Sequence, residues 1–358
     1  MARRAVRALP AVCALPRPSG LLGDETMTTA YRAPAARDLV LGTPYRVLSG
    51  DEALMMFSAG PNGEVLVGIA HQPPDLRAVQ DGWSTIFKTR PDTPQDYTLT
   101  EWRNGRRSRA VNIANEPYNL TEAQPLGEGY VLSCPRCRRE SDTEIEKNGR
   151  IYDAAGRLVG EIVLGDGIKC MLATRDGNIW VGYSDDGVIG DAVGTGTGSF
   201  GWDEPLGRSG LVKWSRDGEI VYEYAAPDEA STIYECCAMT VDAMGDLWCY
   251  YYDSFRILCV RENGRVQQWS PGIGNAHTMA VAWPYVALLG NEQEDYLCQL
   301  VKLENNGASR VVAKFRLHTA QGQPITQGRV AAYGSTIHIL HEGQVYRLDV
   351  ADCLANAP

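Results

Sequence analysis

The sequence predicts an all-β chain: a six-bladed β-propeller of four-stranded antiparallel blades. Three observations carry this. A unit of two apolar runs around a turn recurs six times. The segments between several copies read as further hairpins. No stretch of twelve or more residues shows a persuasive 3.6-residue period, so long amphipathic helices are not expected. Two stacked β-sandwiches are the competing all-β arrangement, and five or seven blades are the nearest variants of the ring.

The clearest copies of the unit are ALMMFSAGPNGEVLVG (53–68), IKCMLATRDGNIWVGY (168–183) and CCAMTVDAMGDLWCYY (236–251). Weaker copies lie at 121–133, 277–290 and 328–341. Aligned on Gly63, Gly129, Gly177, Gly245, Pro284 and Gly334, they are 66, 48, 68, 39 and 50 residues apart. Such steps suit four-stranded blades with loop insertions. Between them, GRIYDAAGRLVGEIVL (149–164), GLVKWSRDGEIVYEY (210–224) and FRILCVRENGRVQQW (255–269) alternate around tight turns. Asp-Gly and Asn-Gly supply the positive φ that such turns need. Residues 83–102 and 294–317 fit the same role less cleanly. The last unit is one strand short after GQVYRLDV (343–350), while the early strand 44–49 has no partner. The economical solution is that 44–49 completes the last blade and closes the ring, which also removes free sheet edges.

Composition agrees. The chain has 358 residues, 37 Gly and 19 Pro, a turn inventory too rich for a helical protein. Apolar residues make up 44 %, enough for a sizeable core. The net charge of −10 argues against nucleic acid as a main partner, because phosphate binding needs a basic face. No stretch approaches a membrane span. Residues 1–26 stand apart, with Arg3, Arg4, Arg7 and Arg17 preceding any acid. Arg7, Pro10 and Pro16 interrupt what a signal peptide would keep apolar. The segment reads as a disordered leader or a start assigned too early, with Met27 a natural beginning and 27–358 one propeller domain. Ten cysteines without an export signal are expected to be free thiols in a reducing cytoplasm. A monomer is expected.

The stretch DGNIWVGYSDDG (176–187) resembles the repeat signature of bacterial regulator-type propellers. Asp176-Gly177 makes the turn, and Ile179 and Val181 face the neighbouring blade. More widely, 130–290 resembles an uncharacterised bacterial propeller family. The resemblance rests on Cys137-Arg138-Arg139, LGDGI (164–168), IWVGYSDDGVIGD (179–191), GLVKWSRDG (210–218) and DLWCYYYD (246–253). It implies the propeller fold and no particular activity.

No motif names a reaction. Cys134-Pro135-Arg136-Cys137 is a CxxC without the second ligand pair that structural zinc usually brings. It reads as a loop with two incidental cysteines. Gly196–Gly201 matches GxGxxG, but no helix follows, so a dinucleotide site is rejected. Residues 185–209 read as a long loop, a candidate lid. Trp180 and Trp248 occupy matching repeat positions and read as blade packing.

The propeller topology does group polar residues. The loops after second strands carry His71, Cys134, Arg136, Asp185, Asp186, Asp253, Asn291, Glu292 and His341. The loops before first strands carry Asp51, Glu116, Asp166, Glu235 and His277. All open on one face, around a channel mouth. Two functions follow. One is a binding module offering this face to a small molecule or protein. The other is a metal-assisted hydrolase or lyase, with Ca²⁺ or Mg²⁺ among Asp185, Glu235, Asp253, Asn291 and His277. The alternative to both is a ring of solvated loop ends in an acidic protein.

Overall fold

The computed structural model describes residues 34–50, 52–80, 84–190, 201–252, 254–292 and 295–358, with the backbone alone at 78–80, 84–86, 291, 292 and 295. The leader 1–26 lies outside the described residues.

Strands β1 (Ala36–Val40) and β2 (Tyr45–Arg46) precede the blades. Blade 1 is β3 (Ala53–Ala59) and β4 (Glu64–Ala70), an inserted hairpin β5 (Arg77–Gln80) and β6 (Ser84–Phe87), then β7 (Gln95–Arg103) and β8 (Arg106–Glu116). Blade 2 is β9 (Glu122–Leu126), β10 (Gly129–Ser133), β11 (Gly149–Tyr152) and β12 (Leu158–Ile162). Blade 3 is β13 (Ile168–Ala173), β14 (Ile179–Tyr183), a short helix α1 (Asp185–Ile189), β15 (Leu211–Trp214) and β16 (Ile220–Glu223). Blade 4 is β17 (Glu235–Val241), β18 (Leu247–Tyr252), β19 (Arg256–Val260) and β20 (Val266–Trp269). Blade 5 is β21 (Ala276–Ala282), β22 (Tyr285–Glu292), β23 (Asp295–Leu303) and β24 (Ser309–His318). Blade 6 is β25 (Arg329–Tyr333), β26 (Thr336–His341) and β27 (Gln344–Asp349), followed by helix α2 (Val350–Ala355). The inner strands contact one another in the order β3, β9, β13, β17, β21, β25 and back to β3, so the ring is closed.

Closure is made as the sequence predicts. Strand β2 pairs antiparallel with β27 as the fourth strand of blade 6, Tyr45 opposite Val345 and Arg46 opposite Gln344. The ladder is shorter than 44–49, because the N–H groups of Val47 and Leu48 both turn to the Gly343 carbonyl (2.9 and 3.1 Å). Two features differ from expectation. Strand β1 runs parallel to β24 as a fifth strand of blade 5, burying Leu39 and then Leu41 against Leu317 and Phe315. In blade 1 the outer pair is β7–β8 rather than 83–102, because β5–β6 is an insertion.

Inter-blade packing explains the repeat pattern. Ile179 and Val181 are fully buried against Val131, Ile151 and Ile162 of blade 2. Burying such a side chain stabilises the fold by roughly 1.5–3 kcal/mol. Gly177 at φ +82° makes the Thr174–Asn178 turn, a conformation that a Cβ would strain. Trp180 and Trp248 are buried in seams between blades. Apolar clusters fill the seams from blade 1 round to blade 6. At the seam between blades 6 and 1, Tyr45 packs on Trp102, ring centroids 5.7 Å apart.

Replacing Tyr45 with Ala should therefore lower stability by about 2 kcal/mol. Deleting residues 34–49 should abolish cooperative thermal unfolding, and a truncation melting at the full-length temperature would contradict the closure. A second expectation concerns His338 in blade 6. Its Nδ1 is buried without a hydrogen-bond partner, and burial, with Arg347 nearby, lowers its pKa to about 4. The unfolded chain then binds a proton that the folded chain refuses between about pH 6.5 and 4. Stability is lost as pH falls through that window. His338→Met should remove on the order of 2 kcal/mol of the loss between pH 7 and pH 4, read by denaturant titration at both.

Candidate functional site

The inner strands begin on one face, and four of them carry a β-bulge there. The register shifts between Leu54 and Met56, Ile168 and Cys170, Cys236 and Ala238, and Ala276 and Thr278. Each leaves one residue unpaired: Met55, Lys169, Cys237 or His277. A bulge bends its strand and re-aims the side chain of the extra residue. In two of these blades a glycine of the second strand leaves room beside the distortion: a Cβ on Gly68 would lie 2.7 Å from the Met56 sulfur, and one on Gly290 would lie 2.3 Å from the Asn275 carbonyl oxygen. Gly182, the glycine in IWVGY, instead makes room for the neighbouring blade, since a Cβ there would lie 2.4 Å from the Cys236 sulfur of blade 4.

The bulged residues Lys169, Cys237 and His277 line a central cavity of about 320 Å³, to which all six inner strands contribute. Glu122 and Arg329, at the starts of β9 and β25, line it too. Lys169 Nζ is ion-paired with Glu235 Oε1 at 2.8 Å. The Arg329 guanidinium donates to the carbonyls of Leu54 and Met55, both at 3.1 Å, and makes no ion pair with any described residue. Glu122 makes no side-chain hydrogen bond or ion pair among the described residues. Burial pushes its pKa up to about 7, against the opposing pull of Arg329. Burial likewise raises the Cys237 thiol to about 12, so it is not a ready nucleophile. The His277 ring stands 3.3 Å from the Thr278 hydroxyl and 5.9 Å, centroid to centroid, from Tyr296.

The opposite end is laced shut. The Tyr333 hydroxyl donates to the Ala173 carbonyl at 3.0 Å, reaching from blade 6 to the facing blade 3. Its ring thus lies across the axis. Arg175 Nε donates to the Pro61 carbonyl at 3.1 Å, tying blade 3 to blade 1. These contacts span the axis at the end opposite the bulges.

The sequence-predicted residues divide into groups. His277 lines the cavity, and Glu235 touches it only through its ion pair with Lys169. Asp166 is buried in an Arg136 clamp, with Nε and Nη2 each at 2.8 Å, and also accepts from the Cys137 N–H at 2.8 Å. Burial raises its pKa despite that pairing. Arg136 Nη1 holds Asp186 at 2.9 Å. Asp185 is exposed and accepts from the Asp186 N–H. Glu116 is buried with Arg150 at 3.2 Å and Tyr152. His71 contacts the Thr98 hydroxyl at 2.7 Å, and His341 the Gln327 carbonyl at 2.8 Å; neither lines the cavity. Asp51 and Asp253 lie outside the described residues, as do the side chains of Asn291 and Glu292. Among the described residues, no three His, Cys, Asp or Glu side chains converge as a metal site would require. Cys134 and Cys137 are buried thiols facing the Thr89 and Glu146 carbonyls. Of the expected loop 185–209, the first residues form α1 and 201–209 are turns, while 191–200 lie outside the described residues.

Sequence reasoning missed Glu122, Lys169 and Arg329. The signal was present in the repeat copies, where each is the second residue of its unit: TE at 121, IK at 168, GR at 328.

No family model matches the chain, and no curated protein matches it. Solved structures do. Virginiamycin B lyase from Staphylococcus aureus is 12 % identical, covering 86 % of this chain and 98 % of that one, with a TM-score of 0.46. The PQQ-bound aldose sugar dehydrogenase from Streptomyces coelicolor is 14 % identical over 89 % of this chain and 99 % of that one, with a TM-score of 0.44. YCF48 bound to D1 peptide is 12 % identical over 89 % and 99 %, with a TM-score of 0.43. The similarity is one of fold.

Proposed function

We propose that this chain is a binding module that holds a small polar molecule in its central cavity. The observation that carries this is a cavity of about 320 Å³ lined by two charged groups with no ion pair among the described residues, the Glu122 carboxylate and the Arg329 guanidinium. Fold stability alone gives no reason to leave a half-buried carboxylate without a partner, since desolvating it is costly. The volume lies at the lower end of the range for small-molecule pockets. Described cysteines are free thiols, in keeping with a reducing compartment. Among the described residues no helix is long and apolar enough to cross a membrane.

The test is capture of metabolites from a cell extract, read by native mass spectrometry. Wild type should retain a small molecule that Ala331→Leu, which fills the cavity wall, releases without a change in circular dichroism. If neither protein retains one, the reading falls. The divalent-cation alternative is an arm of the same test: a melting temperature lowered by EDTA would favour it.

Glu122 should also show the stability cost of an uncompensated site. Its folded pKa lies above the ordinary carboxylate value, so the folded chain holds its proton more tightly than the unfolded chain does. The stabilisation is full below about pH 4.5 and lost as pH rises through about 7. Glu122→Gln should thus be more stable than wild type by about 1–2 kcal/mol at pH 8 and nearly equal at pH 5. Equal stability at both would show that Glu122 is solvated.

A further inference from the structure

Resting on the channel reading, we infer that the ligand is a free amino-acid-like zwitterion, its carboxylate on Arg329 and its ammonium on Glu122. The argument is one of charge accounting. Of the charged groups on the cavity wall, Lys169 is neutralised by Glu235, two residues before Cys237, at 2.8 Å. Glu122 and Arg329 feel each other's charge but form no ion pair. They stand on β9 and β25, with β3 between them in the ring. They face one cavity without closing on each other.

Arg329 cannot turn away from the cavity cheaply, because two blade 1 carbonyls fix its guanidinium through both terminal nitrogens. A guanidinium held by carbonyls still carries its full charge and keeps donors for a planar carboxylate. A simple carboxylate would satisfy Arg329 and leave Glu122 facing a second anion. A simple amine would satisfy Glu122 and face Arg329 and Lys169. A dianionic phosphate would meet both Glu122 and Glu235. A molecule with one ammonium and one carboxylate satisfies both free charges and adds no net charge. A peptide terminus supplies only one of the two.

Binding is then coupled to protonation. The titratable and charged groups on the wall besides Glu122 are Lys169 and Cys170 from β13, Cys237 from β17 beside the paired Glu235, His277 from β21 and Arg329 from β25; β3 presents only Phe57, Ser58 and Ala59. Glu122 is part-protonated near neutral pH and must be ionised to receive an ammonium. The arriving ammonium therefore expels a proton.

The experiment is titration calorimetry on the full chain with the standard L-α-amino acids, β-alanine and 4-aminobutyrate, against acetate and methylamine as single-charge probes. Repeating it near pH 7 in buffers of different ionisation enthalpy counts the protons exchanged. At least one zwitterion should bind about tenfold or more tighter than either single-charge probe, releasing a fraction of a proton. Glu122→Gln should weaken it at least about tenfold and abolish the proton release. Arg329→Lys, which keeps the charge and spares the seam, should weaken it less than Arg329→Met. Binding of no zwitterion overturns the inference, as does equal binding of acetate or methylamine, or proton uptake instead of release. If the extract yields a ligand of another class that Ala331→Leu releases, this inference fails while the binding-module reading stands; if the extract yields none, both fail.

Discussion

The structure depends on ring closure. Six sheets packed side by side leave an open seam unless the last blade is completed, and a three-stranded blade 6 would expose the outer edge of β27. Two residues of β2 provide the missing ladder, and Tyr45 reaches across to Trp102 of blade 1. These contacts join residue 45 to residues near 345, almost the full described length. Every inter-blade cluster gains from that link, because a ring transmits packing around its circumference while an open stack ends in two frayed faces. Strand β1 extends the same device by covering the outer edge of blade 5.

Closure also creates the axis, and the bulges decide what faces it. A regular inner strand would alternate its side chains between its two faces. An added residue near the start of β13, β17 and β21 breaks that alternation and turns Lys169, Cys237 and His277 to the cavity. In blade 5, Gly290 of the facing strand is the steric counterpart of this bend. At the other end no such distortion is needed, and Tyr333 bridges opposite blades. The two ends of the axis thus differ, one bulged and one bridged by side chains.

Electrostatics then separates acids that are ion-paired from one that has no ion pair among the described residues. Asp166 and Glu116 are deeply buried, yet each has an arginine and further donors, so their charge is spent on joining loops and strands. Glu235 is spent on Lys169. Glu122 makes no side-chain hydrogen bond or ion pair among the described residues, and this, rather than its raised pKa, sets it apart, since burial raises Asp166 and Glu116 as well.

Much of the fold was legible in the sequence because it is written locally. Asp-Gly turns, alternating runs and their recurrence specify strands, and counting strands exposes both the gap in the last blade and the orphan at 44–49. Glu235 and His277 were legible as residues preceding or opening inner-strand runs. Lys169, Glu122 and Arg329 stood at comparable positions but read as ordinary surface charges, since nothing local says which charges will meet. The ion pairs that occupy Asp166, Asp186 and Glu116 join residues 30 to 50 positions apart. The sequence by itself thus determined six four-stranded blades and the closing strand of the last, while β1 and the β5–β6 insertion emerged only in the structure. Only the tertiary structure decided which charges are paired, because pairing depends on distances across the ring that closure alone sets.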